Sequence, residues 1–364
     1  MKIGLTMNLN VAFWANGMQQ NIAFLHDLLN RVGYDCEYIS IEHPQKNAKI
    51  EDRYTTINEL MAADGATLDV LIIAGFDLLP DMYDKLKMRN PNLKVVLIHY
   101  GNKMMDDIHY SICAPDSKRS PLAKPRHLSQ VWMSPQHEYG LEYIKSYYNC
   151  ENVHITPFLW EPKFMQDKMR KLGRKGFSPT YDKKRAKRLM VFEPNISHLK
   201  SCILPLIISE KFNSMYPNEI DGISLFCTQN IEKKHYYKSL VNRLSISKIP
   251  NFIRSTGRWA SLDALSKFGC TVLSHQYGND LNYAYLEALY LGLPLIHNSP
   301  RLSDVGYYYD DFNVSLAANQ IKNSLINHES TLTKYLEDGR EFVKQYDPSL
   351  PQNSEPYIDL LNNA

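Results

Sequence analysis

The chain has 364 residues, more than one hydrophobic core usually organises, so we expect two domains. Its hydrophobic content of 44% and aromatic content of 11% are typical of an ordinary globular protein. The formal net charge of +2 does not by itself predict a polyanionic partner. No segment approaches the roughly 18 apolar residues of a membrane-spanning helix, so none is predicted.

The amino terminus and the cysteines indicate the cellular compartment. The chain opens with a strand pattern rather than a charged leader and an apolar run, so we expect no signal peptide. The six cysteines are scattered, with no C-x-x-C pair and no histidine at metal-ligand spacing. We therefore expect free thiols, no metal site and a reducing, cytoplasmic environment.

Short apolar runs alternate with helical patterns from the amino terminus to about Trp160. A helix is predicted over Met18–Arg31, directly after the first strand and a polar loop. The predicted strands are Lys2–Met7, Cys36–Ile41, Val70–Ile73, Val95–His99, Gln130–Met133 and Val153–Thr156. This alternation is typical of a doubly wound α/β domain, which we place at residues 1–162.

The loop before the first helix is a candidate ligand site. Asn16, Gly17 and Gln20 lie at the helix entrance, where backbone N–H groups and side-chain amides can meet a ligand. The loop lacks a G-x-G-x-x-G pattern, so we exclude an NAD site. A plain capped loop is the alternative interpretation.

A second candidate site follows the strand predicted at Val95–His99. His99 and Asn102 leave its carboxyl end, where folds of this kind place ligands. A His or Asp there can take a proton from an acceptor hydroxyl, so His99, Asp106 and Asp107 are candidate catalytic bases. An ordinary core or loop histidine is the alternative for His99. Asp106 and Asp107 are adjacent and do not form a D-x-D pair, and no other metal-binding spacing stands out.

Residues 163–188 form the clearest shift in composition. They include eleven basic residues against two acidic ones, with glycines and a proline, which predicts a basic interdomain linker. A solvated linker is one interpretation. The other is a contact with a phosphate backbone, in which Lys183, Lys184 and Arg185 bind DNA in a salt-dependent way.

Strand and helix patterns resume in a second domain, which we place at residues 189–345. A helix is predicted from Ser197 to Lys211, after a strand that leads into Glu193-Pro194-Asn195. The predicted strands are Leu189–Phe192, Gly222–Cys227, Ile249–Ile253, Cys270–Ser274 and Leu293–His297. Residues 346–364 form a tail, with a short helix predicted at Pro356–Leu361.

The stretch Ser274–Pro300 predicts a β-α-β unit and therefore a parallel sheet. Its helix spans Leu281–Leu291, with Asn279 or Asp280 as the expected cap. Gly292, directly after it, and Pro294 end this helix.

Glu287 is a carboxylate among Leu, Ala and Tyr on this helix, which we expect to be buried, and there it needs a partner or a ligand. One interpretation is a Glu at a solvated edge or paired with an Arg. The other is that its paired oxygens accept two hydroxyls of a ribose.

Other polar residues surround the same helix entrance, whose dipole favours an anion. The candidate ligand contacts there are His275, Asn279, Asn282 and Tyr283, with Asn298 and Ser299 after the next strand. Residues 306–311 (GYYYDD) either pack under the site or stack on a base.

Glu287 in EALYLGLPLIHNS, after a strand and a polar loop, resembles the nucleotide-sugar motif of GT-B glycosyltransferases. Further motifs resemble those of a poorly characterised group of GT-B-like proteins from bacteria and their phages. These motifs are Trp14-Ala15-Asn16-Gly17, Gln20-Asn21, Glu193-Pro194-Asn195, Ser274-His275-Gln276, Leu281-Asn282-Tyr283, His297-Asn298-Ser299 and Gly306 to Tyr309.

The resemblance implies a GT-B fold, in which two Rossmann-like doubly wound domains face a central cleft. It implies a sugar nucleotide, most simply a UDP-sugar, held mainly by the second domain, with no permanently bound cofactor and no metal held by a D-x-D pair. Arg258, Arg254 and Lys200 would neutralise the diphosphate, although either arginine is alternatively a surface residue. The acceptor would enter from the first domain and the linker, and the tail would return to the first domain.

The resemblance therefore implies a hexosyl- or pentosyltransferase, but it does not specify the acceptor. The basic linker and the phage members favour double-stranded DNA carrying a hydroxymethylated base, which would be turned out of the stack for transfer. A bacterial surface glycan or lipid-linked sugar is the first alternative. A non-catalytic module that binds a nucleotide sugar or DNA is the second.

Overall fold

The protein forms two compact α/β units. The computed structural model describes residues 1–11, 13, 17–44, 52–62, 68–113 and 128–363. The first unit comprises Met1–Trp160 and Tyr346–Ala364, and the second comprises Glu161–Gln345.

The described part of the first unit contains a seven-stranded sheet in which every recorded pairing is parallel. Its strands are β1 (Lys2–Thr6), β2 (Asp35–Ser40), β3 (Tyr54–Thr56), β4 (Val70–Ile73), β5 (Lys94–His99), β6 (Leu128–Met133) and β7 (Val153–Ile155). The spatial order is β3-β2-β1-β4-β5-β6-β7, so the direction of winding reverses between β1 and β4. The central strands are continuous apolar runs because helices cover a parallel sheet on its faces.

The helices of the first unit connect these strands. They are α1 (Gly17–Arg31), α2 (Ile57–Ala62), α3 (Pro80–Arg89), α4 (Lys103–Ile112) and α5 (Leu141–Tyr148), with α13 (Pro351–Asn362) contributed by the tail. A 3-10 helix spans Pro135–Gly140. The tail belongs to this unit because the Tyr357 hydroxyl donates to the Pro157 carbonyl across 2.8 Å. The Gln130 side chain likewise donates to the Leu360 carbonyl across 3.0 Å.

The second unit contains a six-stranded parallel sheet in its described residues. Its strands are β8 (Arg188–Val191), β9 (Gly222–Leu225), β10 (Ile253–Ser255), β11 (Thr271–Leu273), β12 (Leu295–His297) and β13 (Tyr307–Tyr308). The order is β10-β9-β8-β11-β12-β13, so the reversal falls between β8 and β11. The two sheets confirm the predicted pair of doubly wound α/β domains.

The helices of the second unit include one of 31 residues that the sequence patterns do not indicate. They are α6 (Lys163–Gly173), α7 (Lys183–Ala186), α8 (Ile203–Met215), α9 (His235–Arg243), α10 (Ser261–Lys267), α11 (Tyr283–Tyr290) and α12 (Val314–Lys344). Short 3-10 helices lie at Ser245–Lys248 and Pro300–Leu302. The core between α8, α12 and the sheet is apolar, with Leu206, Phe212 and Ile321 among its fully buried side chains.

Three segments differ from the sequence-based expectation. The helix predicted from Ser197 to Lys211 begins later, at Ile203, and spans Ile203–Met215. The strand predicted at Ile249–Ile253 lies later, at Ile253–Ser255, because Asn251 adopts a positive φ of 59° and turns the chain. Residues 163–188, predicted as an interdomain linker, fold within the second unit as α6, α7 and their connection. Among the described helices, none has both the length and the apolar character needed to cross a bilayer.

Candidate functional site

The carboxyl ends of β8 and β11 lie side by side where the strand order of the second unit reverses. Open parallel sheets place ligands at such a point. β8 is followed by Glu193 and Asn195, and β11 by Ser274, His275 and Gln276. We call these two loops, with the residues that contact them, the switch-point site.

Glu193 is the buried carboxylate of the switch-point site, with only 2% of its surface exposed. The Ser274 hydroxyl donates to one of its oxygens, and the Gln276 amide donates to the other across 3.2 Å. Burial raises the pKa of Glu193 to about 7, although the Ser274 hydrogen bond and the Lys200 charge oppose this rise. Glu193 thus joins the two loops through a group that titrates near neutral pH.

Glu193 is not among the residues predicted for the site, although the Glu193-Pro194-Asn195 motif contains it. The signal that points to it is a carboxylate two residues after a buried strand of a parallel sheet. Asn195 stabilises the same turn at a positive φ of 56°, since its amide donates to the Glu193 carbonyl across 2.8 Å.

Two tyrosines hold the loop that follows β11. The Ser274 hydroxyl lies 2.8 Å from the Tyr285 hydroxyl of α11. The Tyr309 hydroxyl, which follows β13, donates to the Ser274 carbonyl across 3.2 Å. Side chains from α11 and from the residue after β13 therefore both hold Ser274 in position.

His275 lies beside Ser274 and is almost fully buried, with 4% of its surface exposed. Its Nδ1 is 3.0 Å from the Tyr309 hydroxyl. Its Nε2 is buried and has no hydrogen-bond partner among the described residues. Burial lowers the pKa of His275 to about 4, against the opposing charge of Asp311, so the ring is neutral at physiological pH.

His275 forms part of the wall of a pocket of about 220 Å³ in the second unit. We call it the His275 pocket. Its lining combines two imidazoles, a hydroxyl, a leucine and two aromatic rings: His198, Ser201, Leu204, His275, Tyr277 and Phe312. The β8–α8 loop and the β11 loop both contribute to it, which places it at the switch-point site.

Three predicted ligand contacts, Asn279, Asn298 and Ser299, make hydrogen bonds within the loops of the site. The Asn298 amide accepts from the backbone N–H of Gln276 and donates to its carbonyl, each across 2.9 Å. The Asn279 amide donates to the Gln276 side chain, and the Ser299 hydroxyl donates to the Asp280 carbonyl across 2.6 Å. These side chains shape the β11 loop.

Two further predicted contacts, Asn282 and Tyr283, lie at the amino end of α11. The Asn282 side chain accepts from the Ala284 N–H across 3.1 Å and is therefore the cap of this helix. The expectation that Asn279 or Asp280 caps the helix is wrong, because both precede the extended residue from which the helix starts. Tyr283 is the first residue of the helix and is buried.

Glu287 lies in the second turn of α11, with 4% of its surface exposed. The hydroxyl of Ser261, the first residue of α10, donates to its Oε2 across 2.5 Å. Its Oε1 has no hydrogen-bond partner among the described residues. Burial raises the pKa of Glu287 to about 7, and the Ser261 hydrogen bond opposes this rise. The structure thus places a buried carboxylate with one oxygen held and one oxygen available.

The three cations expected at a diphosphate occupy different positions. Arg258 is exposed in the loop after β10, and its charge lowers the pKa of Cys227 against the larger effect of burial. Lys200 lies in the β8–α8 loop, close enough for its charge to lower the pKa of Glu193. Arg254 is inside β10 rather than beyond a strand, and its charge acts on Arg188 at the amino end of β8.

In the first unit, His99 ends β5 as predicted, but its imidazole is buried. Burial, followed by the charge of Lys103, lowers the pKa of His99 to about 3. A ring with so low a pKa is a weak base at neutral pH.

The helix after β5 holds the other first-unit candidates. Asn102 caps α4, since its side chain accepts from the Met105 N–H across 3.1 Å. Asp107 forms an ion pair with Lys103 and accepts from the Tyr143 hydroxyl across 2.6 Å. Asp106 lies in the first turn of α4, half-buried.

The predicted site at the entrance of α1 is described only in part. Gly17 begins the helix and is exposed, whereas Gln20 is buried. Asn16, together with Trp14 and Ala15 of the same motif, lies outside the described residues.

The basic residues predicted to contact DNA lie at the other end of the second sheet. α7 leads directly into the amino end of β8, whereas Glu193 follows its carboxyl end. The Arg185 guanidinium donates to the carbonyls of Leu265, across 2.6 Å, and Thr180, across 2.7 Å. Lys183 is exposed and paired with Glu329, and Lys184 is exposed.

The fold is shared with several solved proteins, all at low identity. HepE from Anabaena, solved with UDP and glucose, is 11% identical, with a TM-score of 0.58 and coverage of 99% of both chains. An α-glucosyltransferase solved with UDP and a 13-mer DNA containing a HMU base is 11% identical, with a TM-score of 0.62 over 100% of this chain and 99% of that one. TarM is 9% identical, with a TM-score of 0.67 over 99% of this chain and 98% of that one.

These similarities show that the two units have the GT-B arrangement of secondary structure, as predicted. No curated protein matches the chain by sequence. A family model matches residues 3–361, almost the entire chain. The chain therefore belongs to the family described as Protein of unknown function (DUF2827).

Proposed function

We propose that the protein is a glycosyltransferase that takes its sugar from a nucleotide-sugar donor, a UDP-sugar, bound at the switch-point site of the second unit. Proteins of the same fold have been solved with UDP or UDP-glucose, which supports this donor class. The observation that carries the proposal is the arrangement of Glu287.

Glu287 suits the two adjacent hydroxyls of a ribose. Its carboxylate is buried, its Oε2 is held by Ser261, and its Oε1 has no partner among the described residues. An ionised carboxylate accepts hydrogen bonds at both oxygens, so it can receive two hydroxyls from one ring. The cost of burying this carboxylate is offset when those hydroxyls donate to it.

The negative charge of the departing nucleotide would be met by Arg258, Lys200 and the amino end of α11. In the proposed step, an acceptor hydroxyl oxygen bonds to the anomeric carbon while the bond from that carbon to the diphosphate breaks. The hydroxyl gives its proton to a base, for which His99, Asp106 and Asp107 are the candidates, and of these His99 is weakly basic because burial lowers its pKa to about 3. We propose that no protein-held metal ion takes part, so added EDTA is expected to leave the rate unchanged.

Calorimetric titration with UDP tests the donor site. We expect wild-type protein to bind UDP, and the Glu287→Gln variant to bind it about 10- to 100-fold more weakly, because hydrogen bonds to a charged group are lost. Glu341→Gln is a matched control, since Glu341 is exposed and paired with Lys344 on α12. Equal UDP affinity in wild type and Glu287→Gln would contradict the ribose role.

For the acceptor, we propose a hydroxymethylated base in DNA. The support is the shared fold of a glucosyltransferase solved with DNA containing a HMU base. A base in duplex DNA would be turned out of the stack to present its hydroxyl.

Exposed cations on and before α9 support a polyanionic acceptor. This α9 surface comprises Lys233, Lys234, Tyr236, Lys238 and Arg243. None of its cations is paired with an acidic residue among those described, and no residue of α9 is buried. Since α9 follows β9, its amino end lies at the same edge of the sheet as Glu193. Tyr236, 81% exposed, adds an aromatic face that can stack on a base.

A further inference from the structure

The proposed ribose contact leaves one part of the switch-point site without a role. This part is the His275 pocket, which contains a buried polar atom that has no partner among the described residues, the Nε2 of His275. A buried polar atom without a hydrogen-bond partner destabilises the protein interior unless a ligand supplies that partner. The identity of the group that suits this atom follows from the hydrogen bonds around it.

Tyr309 determines which nitrogen of His275 carries the proton. The Tyr309 hydroxyl has a single proton, which it donates to the Ser274 carbonyl across 3.2 Å. The contact of 3.0 Å between the same hydroxyl and Nδ1 of His275 can then form only if Nδ1–H is the donor. With the ring neutral, Nε2 has no proton and is an acceptor.

Because Nε2 of His275 is an acceptor without a partner among the described residues, it favours a ligand group that donates a hydrogen bond. A phosphate or carboxylate oxygen offers lone pairs, so it does not complement Nε2, whereas a hydroxyl or an N–H group does. Burial favours the neutral ring, since it lowers the pKa of His275 to about 4, and thus maintains this preference at physiological pH. The pocket therefore suits a neutral group that donates a hydrogen bond.

The remaining walls of the pocket suit a single ring. At about 220 Å³ it is smaller than the roughly 300–1,000 Å³ of pockets that enclose a drug-sized ligand. Tyr277 and Phe312 are aromatic yet 50% and 48% exposed, and Phe312 lies 4.8 Å from His275 between ring centroids. Aromatic faces carry partial negative charge and attract the C–H groups of a sugar ring. Because Nε2 is covered, a shift of the half-exposed Phe312 ring would admit the ligand hydroxyl.

We propose that the His275 pocket receives the transferred sugar ring of the donor, with one of its hydroxyls donating to Nε2 of His275 and its C–H face against Phe312. This assignment rests on the proposed UDP-sugar function and makes His275 a determinant of donor-sugar specificity. The uracil N–H group offers the same chemistry from the other end of the donor, so the test must separate the two ends.

The test compares calorimetric titrations with UDP and with a panel of UDP-glucose, UDP-galactose, UDP-N-acetylglucosamine and UDP-xylose. The ratio of the UDP dissociation constant to that of a UDP-sugar measures how much the sugar contributes to the binding affinity. We expect wild-type protein to bind at least one UDP-sugar more tightly than UDP. His275→Asn keeps an N–H near the Nδ1 position for Tyr309 but has no atom at the Nε2 position. It should lower that ratio by about 3- to 10-fold, with the UDP affinity unchanged.

Two further variants extend the test. His275→Gln places an amide oxygen near the Nε2 position and is expected to retain more of the sugar contribution than His275→Asn. Tyr309→Phe removes one oxygen atom that fixes the tautomer, and it should lower the same ratio without changing the UDP affinity. This variant keeps the shape of the core, so it tests the proposal if His275→Asn fails to fold.

Each outcome distinguishes the pocket from the nucleotide site. Equal losses of UDP and UDP-sugar affinity in His275→Asn would place the base in the pocket and overturn the proposal. Unchanged affinities in both His275→Asn and Tyr309→Phe, or a wild-type protein that binds UDP and every UDP-sugar equally, would overturn it while leaving the nucleotide site intact. A wild-type protein that binds no UDP or UDP-sugar would overturn the proposed function and this assignment together.

Discussion

The Ser261 hydroxyl donates to one carboxylate oxygen of Glu287 across 2.5 Å, although 26 residues separate the two in sequence. The bond joins the first residue of α10 to the second turn of α11. It orients a carboxylate that burial would otherwise favour in its neutral form. The Glu287 carboxylate is thus held in one orientation, and a ligand that donates hydrogen bonds to it would lower its pKa.

UDP binding should depend on pH through Glu287. Its pKa in the free protein is about 7, and ribose hydroxyls that donate to the carboxylate favour the ionised form. UDP affinity is therefore expected to rise as the pH increases from 6 to 8, as measured by calorimetry. Since the diphosphate also titrates in this range, the comparison is with Glu287→Gln, in which the part of the slope due to Glu287 is absent. An identical pH profile in wild type and variant would contradict ribose binding by Glu287.

The stability of the second unit should depend on Glu193. Glu193→Ala would leave Ser274 and Gln276 without their acceptor and is expected to lower the free energy of unfolding by about 2–4 kcal/mol. Glu193→Gln keeps one acceptor and should cost less. Urea denaturation followed by circular dichroism measures both. A loss below about 0.5 kcal/mol in Glu193→Ala would mean that the two loops are held together without it.

The same carboxyl group predicts a direction for the effect of pH on stability. The pKa of Glu193 is raised to about 7 in the folded protein, so between pH 4.5 and 7 the folded state holds a proton that the unfolded state releases. Its contribution to stability is therefore present below pH 4.5 and is lost as the pH rises through 7. We expect the stability difference between wild type and Glu193→Gln to fall across this interval. A difference that stays constant with pH would contradict the raised pKa.

His297 predicts the opposite dependence. It is buried, accepts from the Ser299 N–H across 3.2 Å and lies 2.9 Å from the Val305 carbonyl through Nε2. Burial lowers its pKa to about 4, so its contribution to stability is present above pH 6.5 and is lost as the pH falls through 4. Thermal melting of wild type and His297→Gln should therefore converge on acidification. Parallel melting curves over this range would show that His297 titrates normally.

DNA binding should depend on the α9 surface more than on α7. Replacing Lys233, Lys234 and Lys238 by Ala is expected to lower the slope of log affinity against log salt by about 1–3, since each phosphate contact contributes about 0.9. The matched triple variant Lys183/Lys184/Arg185→Ala removes the same number of cations. In that set, however, Arg185 already binds carbonyl groups and Lys183 pairs with Glu329. A larger change in the α7 variant would return the DNA contact to that helix.

Sequence patterns predict the central strands of both sheets well. β4 lies at Val70–Ile73 as predicted, and β8, β11 and β12 lie within two residues of the predicted limits. Buried parallel strands are continuous apolar runs, which short-range patterns reveal. β10 is harder to locate from sequence because this edge strand, Ile253-Arg254-Ser255, contains no apolar run.

The long helix α12 lacks a strong signal because its buried face is formed largely by small or polar residues. These include Ala317, Ala318, Ser324, His328 and Gly339. Gly339 is required where the helix passes α11, since a Cβ there would lie 2.7 Å from the Leu289 carbonyl oxygen. Such a face is specified by its packing partners, which a local pattern does not contain.

The residue types of the site can be predicted from sequence, but the partners of each side chain cannot. The patterns indicate a polar loop with Asn279 and Asn298, yet both amides hydrogen-bond to Gln276, which for Asn298 is 22 residues away. Glu193 and Ser274 are 81 residues apart and meet only because the strand order places β8 beside β11. These contacts depend on the topology of the sheet.

Mass analysis of nucleosides measures sugar transfer to DNA directly. The protein is incubated with the panel of UDP-sugars and DNA that carries hydroxymethylcytosine, hydroxymethyluracil or unmodified bases, and UDP release is measured in parallel. We expect a mass gain of one hexose or pentose on hydroxymethylated DNA alone, with an equal amount of UDP released. Neither a mass gain nor UDP release with any donor, in an assay where a control glucosyltransferase is active, would contradict this expectation. UDP release without a gain on DNA would keep the donor but exclude this acceptor.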